Sequence, residues 1–290
     1  MESLTLNLLN ALSYGLLLFM LSSGLTLIFG MLGVLNFAHG ALYMLGAYLG
    51  YSLSIWLDFW FALLLAPLGV GLIGVAFEVG VLRRVRGHGH LPELLLTFGL
   101  GVVLVELAQV IWGRSALDYQ VPALLQGPLW VVQGVQFSAY RAFMMAVSVA
   151  VLLGLWLLLR GRTGLLVRAA LTQPQMLQAL GHNVPRVFSS VFGIGCALAG
   201  LAGALGGAAF VTEPAMAQAS GALVFVVVVV GGLGSLGGAL LASLAVGLLQ
   251  TLAVTLDAGA RWAGLLPYGL MVATLLWRAD GLWGRERADA

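Results

Sequence analysis

Residues 24–47, GLTLIFGMLGVLNFAHGALYMLGA, are almost wholly apolar, yet Asn36 and His39 sit in their middle. Gly30, Gly33, Gly40 and Gly46 flank the pair. An uncharged run of this kind is long enough to cross a bilayer as a helix. In hydrocarbon a polar side chain costs free energy unless it finds a partner. Glycines let backbones approach closely or let a helix break. Unwound backbone is tolerated at membrane depth only against protein or a water-filled cavity. The segment therefore reads as a helix interrupted inside a membrane, which suits a transport pathway better than a plain anchor.

Composition agrees. The chain has 290 residues, 61% hydrophobic and only 8% charged, where a soluble domain carries roughly 25% charged residues. Mean hydropathy is +1.04. No soluble surface can be built from these residues, and no separate soluble domain is expected: residues 1–290 read as one transmembrane domain. The 13 cations are all arginine. A net charge of +2, with no basic cluster interleaved with aromatics, excludes nucleic acid as a partner and leaves lipid. The single cysteine, Cys196, excludes an intrachain disulfide and a cysteine-based metal site. The N-terminus, MESLTLNLLNALSYG, lacks a cationic leader region, so the first apolar segment is expected to be retained as a span.

Apolar length places spans near residues 6–30, 36–55, 60–82, 94–112, 141–159, 187–211 and 263–277. The run 222–256 is too long for one span, and GGLGSLGG at 231–238 is expected to break it in two. The fold class is all-α: a polytopic helical bundle of about eight or nine spans with broken helices. Arg83, Arg84 and Arg86 form one cationic cluster, and Arg160, Arg162, Arg168 and Arg186 another. Two spans separate them, so both face the cytoplasm by the positive-inside rule, with the N-terminus outside. Nine crossings put Arg278, Arg285 and Arg287 inside as well, the preferred reading, and eight put them outside; Asp280, Glu286 and Asp289 beside them count little. Trp56, Trp60, Trp112, Trp262 and Trp277 fall at predicted span ends.

Two segments echo each other. GMLGVL at 30–35 resembles GGLGSL at 231–236, and a Gly/Ala-rich apolar helix follows each. Gly30, Gly33, Gly231, Gly232 and Gly234 are the candidate helix-break glycines. Paired Gly-interrupted spans point to a transporter built on an internal repeat; plain helix-packing glycine is the other reading.

The longest polar cytoplasmic stretch is RGRTGLLVRAALTQPQMLQALGHNVPR, 160–186. Thr172 and Gln175 can cap and start a short helix, Pro174 suits its first turn and Gly181 its end. Leu177 and Leu180 share one face with Met176 beside them, and Gln173, Gln175 and Gln178 supply the polar remainder. Such a helix can dock in a groove on a soluble partner, lie flat on the bilayer, or fold on its own bundle.

Asn36 and His39 stand three apart, so on a helix they share one face. They either line a pathway or satisfy neighbouring backbone. Glu106 and Gln109 share a face in the middle of the fourth span; a buried carboxylate there is a functional candidate by default, and hydrogen bonding to a neighbouring helix is the other reading. Glu78, one turn from the Arg83 cluster, reads as an arginine partner, and Asp58 and Asp257 as interfacial. Thr212 and Glu213 precede Pro214 in an external loop. His88, His90 and His182 fall in cytoplasmic loops and share no ligand spacing with His39, so no metal site and no cofactor is expected. No GxxxxGK[ST] pattern occurs, so ATP hydrolysis cannot be on this chain. An intramembrane serine hydrolase built on Ser235 with His39 lacks the usual serine-elbow spacing.

With these residues in view, the chain resembles the permease subunits of branched-chain amino acid ABC importers, the shorter of the two permeases in particular. The urea and short-chain amide importers are closely similar. The matching stretches are 24–48, 162–187, ALAGLAGALGG at 197–207 and VVVVVGGLGSLGGALLASLAVGLL at 226–249, in order along nearly the whole chain; LNFAHG is the most specific. The resemblance implies a multi-pass permease of a bacterial or archaeal inner membrane that carries branched-chain or other small amino acids inward by alternating access. It implies a second permease subunit, two cytoplasmic ATPase subunits and a periplasmic or extracellular binding protein as partners. It makes 160–187 the coupling loop that touches the ATPase, through Gln173, Gln175, Met176, Leu177, Leu180 and Gly181. Gln175 stands where that motif has glutamate, and Pro174 is also a departure. A urea or amide permease, or a secondary transporter or channel working alone, are the alternatives.

Overall fold

The computed structural model of the chain describes residues 2–86, 88–132, 135–255 and 260–283. Asp257, Arg285, Glu286, Arg287 and Asp289 lie outside the described residues. The chain runs through α1 (Glu2–Leu32), α2 (His39–Trp56), α3 (Phe59–Phe77), a π-helical turn (Glu78–Leu82) and α4 (Arg83–Val85). Next come α5 (His90–Trp112), a hairpin of β1 (Pro128–Val132) and β2 (Val135–Ser138), and α6 (Ala139–Arg160). α7 (Arg162–Thr172) and α8 (Pro174–Ala179) precede α9 (Val184–Ala209), α10 (Met216–Gly231), α11 (Leu236–Thr255) and α12 (Leu266–Trp277). The protein is an all-α membrane bundle.

Among the described residues six helices are long and apolar enough to cross a membrane: Thr5–Leu32, Phe59–Val85, His90–Trp112, Ala139–Arg160, Val184–Ala209 and Leu236–Thr255. α2, with 18 residues, is long enough but less apolar, and two further apolar helices are shorter, α10 with 16 residues and α12 with 12. At about 1.5 Å per residue α12 extends only about 18 Å, less than the roughly 30 Å hydrocarbon layer. The apolar run 222–256 divides as its glycines require, between Gly231 and Leu236. The predicted span 36–55 starts instead at His39, because residues 33–38 are unwound.

α9 is the hub and packs on α1, α2 and α3, while α1 also packs along α11. α1 buries 78% of its most apolar stretch, whereas α5 buries 22% and α6 only 17%. Those two helices therefore present broad apolar faces outward.

The arginines sort by end. Met31 and Leu32 of α1 pack on the same buried cluster (Leu27, Leu155, Val167 and Val191) as Leu159, Val187 and Leu236. Arg83 donates to Pro185 O, and Leu282 and Trp283 donate backbone N–H bonds to Val230 and Gly231. Arg83, Arg84, Arg86, Arg160, Arg162, Arg168, Arg186 and Arg278 thus share one end, which the positive-inside rule assigns to the cytoplasm. Arg114, Arg141 and Arg261 belong to the segments at the other end, where Leu117 and Thr212 form an isolated β-bridge.

Candidate functional site

The break after α1 has a stepwise cause. Gly33 takes φ +67° and donates its N–H to Phe29 O at 2.8 Å, which caps the helix in a left-handed turn. Asn36 Oδ1 then accepts from Ala38 N–H at 3.2 Å, and Asn36 O from His39 N–H at 3.1 Å. Thr97 of α5 contributes as well: its hydroxyl accepts from Phe37 N–H at 3.3 Å and lies 3.3 Å from Leu35 O. Side chains thereby take up part of the unwound backbone, in keeping with what a lipid environment demands. Sequence reasoning missed Thr97; its signal was a hydroxyl inside an otherwise apolar helix.

His39 Nε2 donates to Leu21 O at 2.9 Å, leaving Nδ1 as an acceptor. From Leu21 to the end of α1 at Leu32 is about 16 Å of helix. α2 therefore begins about half-way through the bundle. α10 begins at the same level: a Cβ on Gly40 would fall 2.2 Å from Ala217 O and 2.7 Å from Gly221 Cα. The first turns of the two half-helices thus cross in backbone contact, which only glycine at position 40 permits. Phe37 stacks on Phe225 beside the crossing, with ring centroids 6.1 Å apart.

Around that crossing lies a cavity of about 730 Å³, within the range of small-molecule sites (roughly 300–1,000 Å³). Its walls are the break, the first turns of α2 and α10, and one face of α5. Asn36, His39, Glu106 and Gln109 all line it, joined by Gln218 of α10. Phe37, Phe98, Val102, Val105 and Phe225 give it an apolar wall. Two expectations need correction. Asn36 and His39 do not share a helix face, because Asn36 belongs to the unwound turn and His39 opens α2. Glu106 is exposed rather than buried, because α5 turns that face to the open side of the cavity. Asn36 and His39 are each only 2% exposed, and Asn36 Nδ2 and His39 Nδ1 have no hydrogen-bond partner.

The break glycines divide by role. Gly33, Gly232 and Gly234 carry positive φ (67°, 95° and 83°) and make the turns. Gly30 and Gly231 remain helical, contrary to their assignment as breakers. Gly30 instead admits Gly234: a Cβ there would sit 3.0 Å from Gly234 Cα. The two echoing segments therefore pack against each other at the cytoplasmic end.

α8 has Pro174 in its first turn, and Gly181 beyond it takes φ +85°. Thr172 does not cap it, since its hydroxyl donates to Arg168 O at 3.1 Å, and Gln173 holds the cap position without a side-chain bond. The apolar face of Leu177 and Leu180 with Met176 beside it, read from the sequence, is also corrected. Leu177 is 4% exposed and packs with Ala170 and Val184, while Met176 and Leu180 are 62% and 75% exposed. Gln173 and Gln175 are exposed beside them. Next to this loop, Glu78 of the π-helical turn is fully buried and pairs with Arg83 at 2.8 Å. Its Oε2 also accepts from Ser189 Oγ of α9 at 2.6 Å. The arginine partner read from the sequence is present, and the link to α9 is new.

Comparison with known proteins converges on the same architecture. The family model described as "Branched-chain amino acid transport system / permease component" matches residues 7–275. The chain is similar to the high-affinity branched-chain amino acid transport system permease protein BraD of Pseudomonas aeruginosa, 28% identical over 97% of this chain and 96% of BraD. It is 29% identical to LivH of Escherichia coli, the same kind of permease, over 97% of this chain and 95% of LivH. LivM of Escherichia coli, a further permease of the high-affinity branched-chain system, is 27% identical over 90% of this chain and 66% of LivM. A multi-pass helical bundle, a break that opens on a cavity and a match along nearly its whole length make this chain a member of the family of permease components of branched-chain amino acid transport systems.

Proposed function

We propose that this chain is a single-domain pore subunit of an ATP-driven ABC importer in a bacterial or archaeal plasma membrane, moving branched-chain or other small amino acids inward. The observation that carries this reading is the cavity of about 730 Å³ set in the helix break. Its apolar wall suits an aliphatic side chain, and Asn36, His39, Glu106 and Gln109 suit the polar end of a small solute. The solute class comes from the names of the relatives. ATP hydrolysis falls to separate ATPase subunits, and this chain carries no cofactor. A second permease covers the open side of the cavity, since a lipid-facing Glu106 would be costly; a LivM-like chain is the natural candidate. A periplasmic or extracellular binding protein delivers solute at the end opposite the arginines.

Coupling runs through α8. Its exposed Met176 and Leu180 dock on an ATPase, at about 1.5–3 kcal/mol for each side chain fully buried, before ordering costs. Leu177 passes the push to α9 through Val184, and α9 packs on α2, whose first turn lines the cavity. The test is Met176→Asp with Leu180→Asp in the complete complex. The expected result is loss of co-purifying ATPase and of leucine uptake, with the permease still inserted. Normal uptake by the double variant, or uptake by the purified chain alone in liposomes, refutes the proposal.

A further inference from the structure

Two half-helices end their positive poles in one place. α2 and α10, with 18 and 16 residues, begin at the crossing of Gly40 with Ala217 and Gly221. Each helix start carries about half a positive charge from its aligned peptide dipoles. Among the described residues no backbone or side-chain acceptor takes the N–H of Gly40, Ala41 or Gln218. Helix starts of this kind hold anions. A second observation points the same way. Asn36 lines the cavity at that spot and is 2% exposed. Its Oδ1 is committed to Ala38 N–H, which fixes the amide orientation and leaves Nδ2 as a buried donor without a partner. Buried donors are almost always satisfied, so an unmatched one on a cavity wall marks where an acceptor belongs.

Charge elsewhere in the cavity sets polarity. Gly101 of α5 packs against Ala38, and Glu106 lies about 7.5 Å further along the same helix toward the end away from the arginines. The cavity is therefore negative nearer that end and rich in free donors at mid-depth. An anionic group entering past Glu106 is repelled there and received by the helix starts.

We infer that the mid-depth end of the cavity is a carboxylate subsite, formed by Asn36 Nδ2 and the first turns of α2 and α10, so that this permease takes solutes with a free carboxylate and not neutral amides. This deepens the amino-acid reading above and rests on it.

The test uses the complete complex in proteoliposomes, with radiolabelled leucine as the probe. Asn36→Asp is isosteric, and aspartate, like asparagine, bonds the backbone N–H two residues on, so the turn that accepts Ala38 N–H is kept. Gln218→Glu adds a carboxylate to the first turn of α10, where acidic side chains favour the helix. Each puts a like charge in the subsite, and like charges so juxtaposed are strongly disfavoured. Each variant is expected to lower leucine uptake below saturation by about tenfold or more, with co-purifying ATPase retained. Uptake within about twofold of wild type in either assembled variant overturns the subsite. Should Asn36→Asp fail to assemble, Gln218→Glu decides alone. A wild-type complex that hydrolyses ATP but takes up no leucine refutes the amino-acid reading itself, a failure distinct from the first.

Discussion

Replacing Glu78 with glutamine should loosen the cytoplasmic joint between α3 and α9. The carboxylate is fully buried where the helix passes through its π-helical turn. Oε2 accepts from Arg83 Nη2 at 2.8 Å and Ser189 Oγ at 2.6 Å, and Oε1 lies 3.7 Å from Arg86 Nη1. Removing one partner of a buried ion pair costs about 3–5 kcal/mol. Arg83 is 37% and Arg86 24% exposed, so water takes up part of the orphaned charge and the loss should fall near 3 kcal/mol, the low end of that range. Ser189→Ala removes one hydrogen bond to a charged group, worth about 1.5–3 kcal/mol. Both changes strike the same oxygen, so the double variant should lose less than the sum, by about 0.5–3 kcal/mol. The assay is the denaturant midpoint of the detergent-purified complex for wild type, both single variants and the double. A loss under about 1 kcal/mol for Glu78→Gln, below the range for a buried pair, would refute the account, as would strict additivity.

Three further outcomes are expected. Thr97→Val is close in shape but leaves Phe37 N–H without its acceptor; it should cost about 1–3 kcal/mol in the same denaturant assay and lower leucine uptake. Gly234→Val forces a β-branched residue to φ +83° with its Cβ 2.8 Å from Gly30 Cα; it should sharply reduce the folded permease recovered from membranes, whereas Gly237→Ala, with open space at its Cβ, should not. In a Cys196→Ala background, Gln120→Cys should react with an impermeant thiol reagent on intact cells and Gln178→Cys only after permeabilisation; the reverse pattern inverts the orientation.

Much of the candidate site was legible because it is made of exceptions to an apolar background. Asn36, His39, Glu106 and Gln109 stand out in spans otherwise free of such groups, and all four reach one cavity. Pro174 and Gly181 bracket a short helix because proline suits a first turn and glycine accepts positive φ. Contacts between distant segments were less legible. Thr97 looked like an ordinary span residue until the unwound turn was placed beside it. Leu177 and Leu180 are equivalent by spacing, and only packing on Val184 turns one inward.

Local chemistry in the chain by itself determined the class and the punctuation. Apolar length dictates spans, positive-φ glycines dictate breaks, and arginine placement dictates which end faces the cytoplasm. Only the tertiary structure decided depth. A break in sequence does not say whether the next helix restarts at the membrane surface or half-way in. That depends on the His39–Leu21 bond and on the crossing of Gly40 with Ala217 and Gly221, contacts between residues far apart in the chain. They bring two helix starts, an unpaired amide and a carboxylate to one cavity, which no local pattern encodes.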